Sequence, residues 1–212
     1  MKSSYEVNST AGKGNLHGLL ALAGLLICPV IGAAQAAHPA HAASHEEVAP
    51  PPVLAPVPVQ IVALDECEPK SFNDALGADF CKNVTLGAFT PLDKLFKQAS
   101  DGTPDPGWDF EPDTLRIRRG TPIVVVDQGG EPHTFTEVKQ FGGGFIEGLN
   151  HGEQTVPECD GGFKNVDVAR TRILQGSQLQ VSGLTLGQHN FQCCIHPWMR
   201  MTVEVQDPPK QK

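Results

Sequence analysis

The segment Cys193-Cys194-Ile195-His196-Pro197-Trp198-Met199 places a thiol, an imidazole and a thioether within seven residues, and the strand-like run Met201-Thr202-Val203-Glu204-Val205 follows directly. Soft sulfur with imidazole is the donor chemistry that suits copper in both of its common oxidation states. One more imidazole, from a distant part of the chain, would complete a His2Cys set with a weak axial Met. The rest of the chain is read as the scaffold that supplies that imidazole and holds the set rigid.

From Trp108 onward the pattern is that of strands. Leu115 and Ile117 alternate with Thr114, Arg116 and Arg118, giving one apolar and one wet face. Ile123-Val124-Val125-Val126 reads as a central strand covered on both faces. The turn Asp127-Gln128-Gly129-Gly130 leads to His133-Thr134-Phe135-Thr136-Glu137-Val138, rich in β-branched and aromatic residues. Further short strands are expected at 172–174, 178–181, 189–193 and 201–205, with a long Gly-rich loop over 141–164. Many short strands and little helix predict an all-β domain, an antiparallel sandwich or barrel.

Strand parity orients the sulfur donors. Phe191 and Cys193 share one face, so Cys193 points inward and Cys194 the opposite way. His196 follows in a loop stiffened by Pro197. For the thioether, Met199 lies in the loop, whereas Met201 shares a face with Val203 and Val205 and can serve as core. For the distant imidazole, His133 follows a Gly-Gly turn at the end of a buried strand, where a β-scaffold presents a fixed side chain. His189 has the parity of Cys193 but lies deeper in the strand, and His151 falls in the Gly-rich loop. Zinc would instead draw on Cys159, Cys193, Cys194 and His196, with no use for a thioether.

The N-terminal part has a different character. Lys2 and Lys13, the apolar stretch Leu19 to Ile31 and Ala34-Gln35-Ala36 make residues 1–36 an export signal with a cleavage site. The stretch is interrupted by Pro29 and falls short of the ~20 residues of a spanning helix. An uncleaved anchor is the alternative. Residues 37–60 form a Pro/Ala/His-rich tether containing His38, His41 and His45, a composition that cannot bury a core. Residues 61–107 form an extension with a short helix over Pro91–Ala99 and a local disulfide between Cys67 and Cys81. The main domain spans 108–207 and a tail 208–212.

Loss of Lys2, Lys13 and Glu6 with the signal turns 16 basic and 24 acidic residues into 14 and 23, a net charge of −9. That argues against nucleic acid and anionic membrane surfaces as partners. Five cysteines then remain, and an odd count in an exported chain leaves one thiol for metal or chemistry.

Two stretches carry a family resemblance. Phe110 to Val138, with Glu131-Pro132-His133-Thr134-Phe135, resembles the first-ligand segment of the cupredoxins, the small blue copper proteins. Phe191-Gln192-Cys193-Cys194-Ile195-His196-Pro197-Trp198-Met199-Arg200 resembles their second-ligand segment, closest to short-loop members such as amicyanin. The longer loop of plastocyanin and pseudoazurin would select Met201 instead.

The resemblance implies an antiparallel Greek-key fold with the helical extension appended. It implies one type 1 copper held by His133, Cys193, His196 and Met199, with the Thr134 N–H donating to the Cys193 thiolate. It implies a monomeric one-electron carrier, periplasmic or otherwise exported, working with a redox partner protein and not inserted in the membrane after signal cleavage. His196, beside Pro197 and Trp198, is expected to lie nearest an apolar surface patch serving as the electron port. Copper storage, delivery or protection, with the His-rich tether as an acquisition arm, is the second reading. No His-Cys-His motif or second copper unit occurs, so the chain alone is not expected to be an enzyme. The departures from the family pattern are the Cys67–Cys81 extension, the 141–164 loop and Cys194, which is expected to face away and pair with Cys159.

Overall fold

The computed structural model describes residues 6–9, 56–82 and 89–208. Nearly all of the expected signal and tether, including His38, His41 and His45, lies outside the described residues, as does most of the tail. In chain order the elements are β1 (Glu6–Ser9), β2 (Val59–Leu64), α1 (Pro69–Leu76), α2 (Leu92–Ser100), β3 (Asp109–Glu111), β4 (Thr114–Arg118), β5 (Ile123–Asp127), β6 (His133–Thr134), β7 (Thr136–Val138), α3 (Val166–Arg170), β8 (Arg172–Ile173), β9 (Gln178–Ser182), β10 (Gly187–Gln192) and β11 (Arg200–Gln206).

The strands form a five-stranded sheet in the order β1-β9-β5-β2-β3, a four-stranded sheet β4-β11-β10-β7 and the small pair β6-β8. Ile61, Ile123, Val125, Leu179 and Val181 of the first sheet share one core with Phe191, Met201, Val203 and Val205 of the second. The alternation read along each strand therefore becomes the two inner faces of a mostly-β sandwich. No closed barrel forms among the described residues.

The expectation of purely antiparallel sheets needs correction, because both larger sheets are mixed. β2 runs parallel to β5, with Ile61 opposite Val125, and β4 runs parallel to β11, with Val203 opposite Leu115. Parallel neighbours need a long crossover. The helices and strands between β2 and β5, and most of the domain between β4 and β11, supply it. Alternation in sequence assigns faces, and it is silent on the direction of a partner joined by so long a connection.

The extension shares the main core. β2 crosses the expected division at residue 60 and lies between β5 and β3 in the sheet. Glu68 caps α1 by accepting from the N–H groups of Lys70 (3.0 Å) and Ser71 (2.6 Å), and Pro69 occupies the first turn. Phe72 is the buried residue of α1, and it joins Leu95 of α2 and the Cys67–Cys81 disulfide in the core.

Candidate metal centre

Two strand ends deliver the donors. After β5 the chain turns through Gln128–Pro132 and enters β6 with His133, which is fully buried. Cys193 follows β10, and its N–H donates to the Met199 carbonyl at 3.0 Å, while the Met199 N–H donates to the His196 carbonyl at 3.0 Å. These two bonds close the Cys193–Met199 loop on itself. Cys193 belongs to the main core, and Cys194 to a second cluster with Cys159, as strand parity requires. Cys194 is disulfide-bonded to Cys159, and Cys193 is the free cysteine among the described residues. A four-ligand zinc site that uses Cys159 and Cys194 thereby loses two of its donors.

His133, Cys193 and His196 converge, all buried. Cys193 Sγ lies 3.9 Å from His133 Nδ1 and 3.9 Å from His196 Nδ1. Donors about 2.0 and 2.3 Å from a shared ion can span up to about 4.3 Å, so each pair is compatible with one ion between them. Two imidazoles and one thiolate are the donor set that suits copper. Met199 is fully buried in the same core, in the loop. Met201 lies in β11 opposite Phe191 and is as buried as the strand's valines.

The surroundings of Cys193 favour its thiolate form. Burial alone would push Cys193 up, but hydrogen bonding and charge from His133 and His196 outweigh it and hold the thiol well below its ordinary range. The Thr134 N–H also points at Cys193 Sγ, at 3.4 Å. Thr134 Oγ1 accepts from the Cys194 N–H at 2.8 Å, which pins the second strand end to the first.

Carboxylates stand behind the imidazoles. His133 Nε2 donates to Asp65 Oδ2 at 3.0 Å, and the same oxygen accepts from the Glu131 N–H at 2.9 Å. A Cβ on Gly129 would fall 1.9 Å from Asp65 Oδ2, so the turn after β5 admits this carboxylate only because residue 129 is glycine. Burial would raise the Asp65 carboxyl, yet His133 and the backbone donors hold it below its usual range. For His133 burial acts downward, and Asp65, Cys193 and Asp127 together raise it well above the usual imidazole range. Glu131 Oε2 lies 3.6 Å from His196 Nε2, and its Oε1 accepts from Trp108 Nε1 at 3.0 Å. Burial pushes the Glu131 carboxyl up to about 7, with His196 opposing the shift.

The other described histidines, His189 and His151, are occupied elsewhere. His189 bonds Glu137 Oε1 (2.6 Å) and the Thr185 carbonyl (2.8 Å), and the exposed His151 bonds the Ser100 carbonyl (3.0 Å). His196, expected to be the ligand nearest an apolar surface patch, is itself buried. Its ring is 1% exposed, with Trp108 at 6.1 Å on one side and Trp198 at 5.6 Å on another. Pro197 is buried too, and of that loop's aromatic wall only Trp198 is half-buried.

Asp65, Glu131 and Trp108 were not legible as site residues. Val59-Gln60-Ile61-Val62-Ala63-Leu64 does carry a strand-like alternation that ends at Asp65, and this was the available signal. Glu131 lies next to Pro132-His133 but reads as a turn residue.

No family model and no curated protein matches the chain. Among solved structures, a purple cupredoxin from Nitrosopumilus maritimus is 15% identical, with 70% of this chain and 99% of that one covered at a TM-score of 0.34. A Cu(I) form of an amicyanin variant is 15% identical, covering 46% of this chain and 73% of that one at a TM-score of 0.30. An oxidised amicyanin variant is 17% identical with the same coverage and score. Likenesses at this level establish no family, and the functional reading rests on the donor set itself.

Proposed function

We propose that the protein is an exported type 1 (blue) copper protein that carries single electrons to or from a redox partner protein. His133, Cys193 and His196 would hold the copper, and Met199 would offer a thioether from the same loop as His196. The observation that carries this reading is the buried convergence of two Nδ1 atoms on one thiolate sulfur. Bound copper would supply a one-electron Cu(I)/Cu(II) couple. The chain's own contribution is rigidity. The Thr134 N–H fixes and polarises the Cys193 sulfur, Asp65 fixes the ring of His133, and the Met199 backbone closes the loop that carries His196.

Burial of the donors supports a carrier over a storage or delivery protein. An acceptor's thiolates need to reach a cargo metal, and here His133 and Cys193 are 0% exposed. Two disulfides beside one protected thiolate fit an oxidising, exported setting such as the periplasm. Met199 is favoured over Met201 because it sits in the loop with His196, whereas Met201 is part of the strand ladder.

The test is the visible spectrum, metal content and voltammetry of the copper-loaded mature protein. The expected result is one copper per chain, an intense thiolate-to-Cu(II) band and reversible one-electron cycling. A colourless Cu(II) form, or stoichiometric zinc in native preparations, would overturn the reading.

A further inference from the structure

The two nitrogens of His196 face different groups. Nδ1 looks toward Cys193 Sγ at 3.9 Å, and Nε2 toward Glu131 Oε2 at 3.6 Å. If Nδ1 ligates a metal, the ring proton must sit on Nε2, and that N–H then faces the carboxylate. The separation is longer than a hydrogen bond and within the range of a charge contact.

Glu131 is itself held in place. Its Oε1 accepts from Trp108 Nε1 at 3.0 Å, and the Trp108 ring, 1% exposed, stacks on Phe72 with centroids 6.4 Å apart and planes 19° apart. Its main-chain N–H donates to the Asp65 oxygen that also accepts from His133 Nε2. One residue thus ties both imidazoles, by its backbone through Asp65 and by its side chain directly.

A carboxylate is a costly group to bury. The indole N–H alone does not call for one, because a neutral carbonyl would satisfy it equally well. What a carboxylate adds is an attraction for a positively polarised ring, and the ring it faces is that of His196.

We propose that Glu131, anchored by Trp108, is a positioning residue that fixes the orientation and tautomer of His196. The proposal rests on the copper reading for its purpose and on the Glu131–His196 contact for its substance. An outer-sphere partner of this kind raises the donor strength of the ligand it holds.

The experiment compares wild type, Glu131→Met, which removes the acceptor at similar volume, and Glu131→Asp, which keeps the carboxylate. Cu(II) affinity is measured by competition titration, and the ring nitrogens are followed by 15N NMR in the metal-free proteins. In Glu131→Met the affinity is expected to fall about 10- to 100-fold, with partial recovery in Glu131→Asp. The His196 Nε2 resonance should shift in Glu131→Met while that of His189, held by Glu137, stays in place. Unchanged affinity together with an unmoved His196 resonance would overturn the proposal and leave the copper reading standing. If wild type takes up no copper, the copper reading has failed, and the metal-free resonances still decide whether Glu131 positions His196. If Glu131→Met does not fold, Trp108→Phe, which releases the carboxylate from its anchor, is read in the same way and should show a smaller shift in the same direction.

Discussion

Asp65 Oδ2 accepts from His133 Nε2 at 3.0 Å, although the two residues are 68 positions apart and both are fully buried. The carboxylate leaves β2 at the point where the neighbouring strand β5 turns toward β6. It therefore locks the ring that aims Nδ1 at Cys193. Asp65→Asn keeps the shape but cannot accept at both of its positions, where the His133 ring and the N–H groups of Glu131 and Cys67 are among the donors. Copper affinity is expected to fall about 10- to 100-fold, as read by competition titration. Unchanged affinity in a folded variant would show that His133 is held by other means.

The Cys159–Cys194 disulfide spans 35 residues and ties the Gly-rich loop to the strand end beside Cys193. The Phe145 N–H donates to the Cys194 carbonyl at 2.8 Å, so the loop is also bonded there without the bridge. Replacing both cysteines by Ala is expected to lower unfolding stability by about 2–4 kcal/mol in urea titrations. The copper-thiolate band should survive, because Cys193 supplies it. Loss of the band in the folded double variant would mean that Cys194 matters to the site directly.

Phe72 is completely buried beneath Trp108 and is the only residue of α1 in the core. Phe72→Ala opens a cavity under the indole and should cost about 3–5 kcal/mol in denaturant midpoints. Because the indole carries Glu131, the variant should also broaden the Trp108 Nε1–H signal in NMR spectra. A cost below about 1 kcal/mol, too little for a core phenylalanine, would mean that α1 packs only loosely on the site.

Trp198 is the half-buried aromatic ring beside His196, at 5.6 Å. Under the proposed function, with His196 itself walled in, this ring is the expected entry for electrons. Trp198→Lys places a charge at that surface, and electron self-exchange is expected to slow at least tenfold, roughly 1.4 kcal/mol in barrier, with the visible band intact. An unchanged rate would put the port on another face.

The legible parts of the molecule were those encoded locally. The alternation of Met201, Val203 and Val205 and the parity that separates Cys193 from Cys194 depend on neighbours in sequence, and the structure reproduces both, along with the two expected disulfides. The meeting of His133 with Cys193 could be inferred because both follow strands whose patterns announce their ends. What stayed hidden depends on long-range pairing. Val59–Leu64 alternates well, but nothing local says that it runs parallel to β5 and so brings Asp65 behind His133. The cover over His196 is hidden for the same reason, since the Trp108 ring that lies against it is backed by Phe72 from a segment that reads as an appendage.

The parallel pairing of β2 with β5 has a consequence for how the protein assembles. Asp65, Glu131, His133, Cys193 and His196 come from both ends of the domain, so no short stretch of the chain contains the site with its supports. Contacts of such wide separation form late and slowly compared with a local hairpin such as β10–β11. Metal capture by this chain would therefore report completion of the whole fold, and a chain arrested before β2 docks would lack the carboxylate that holds His133.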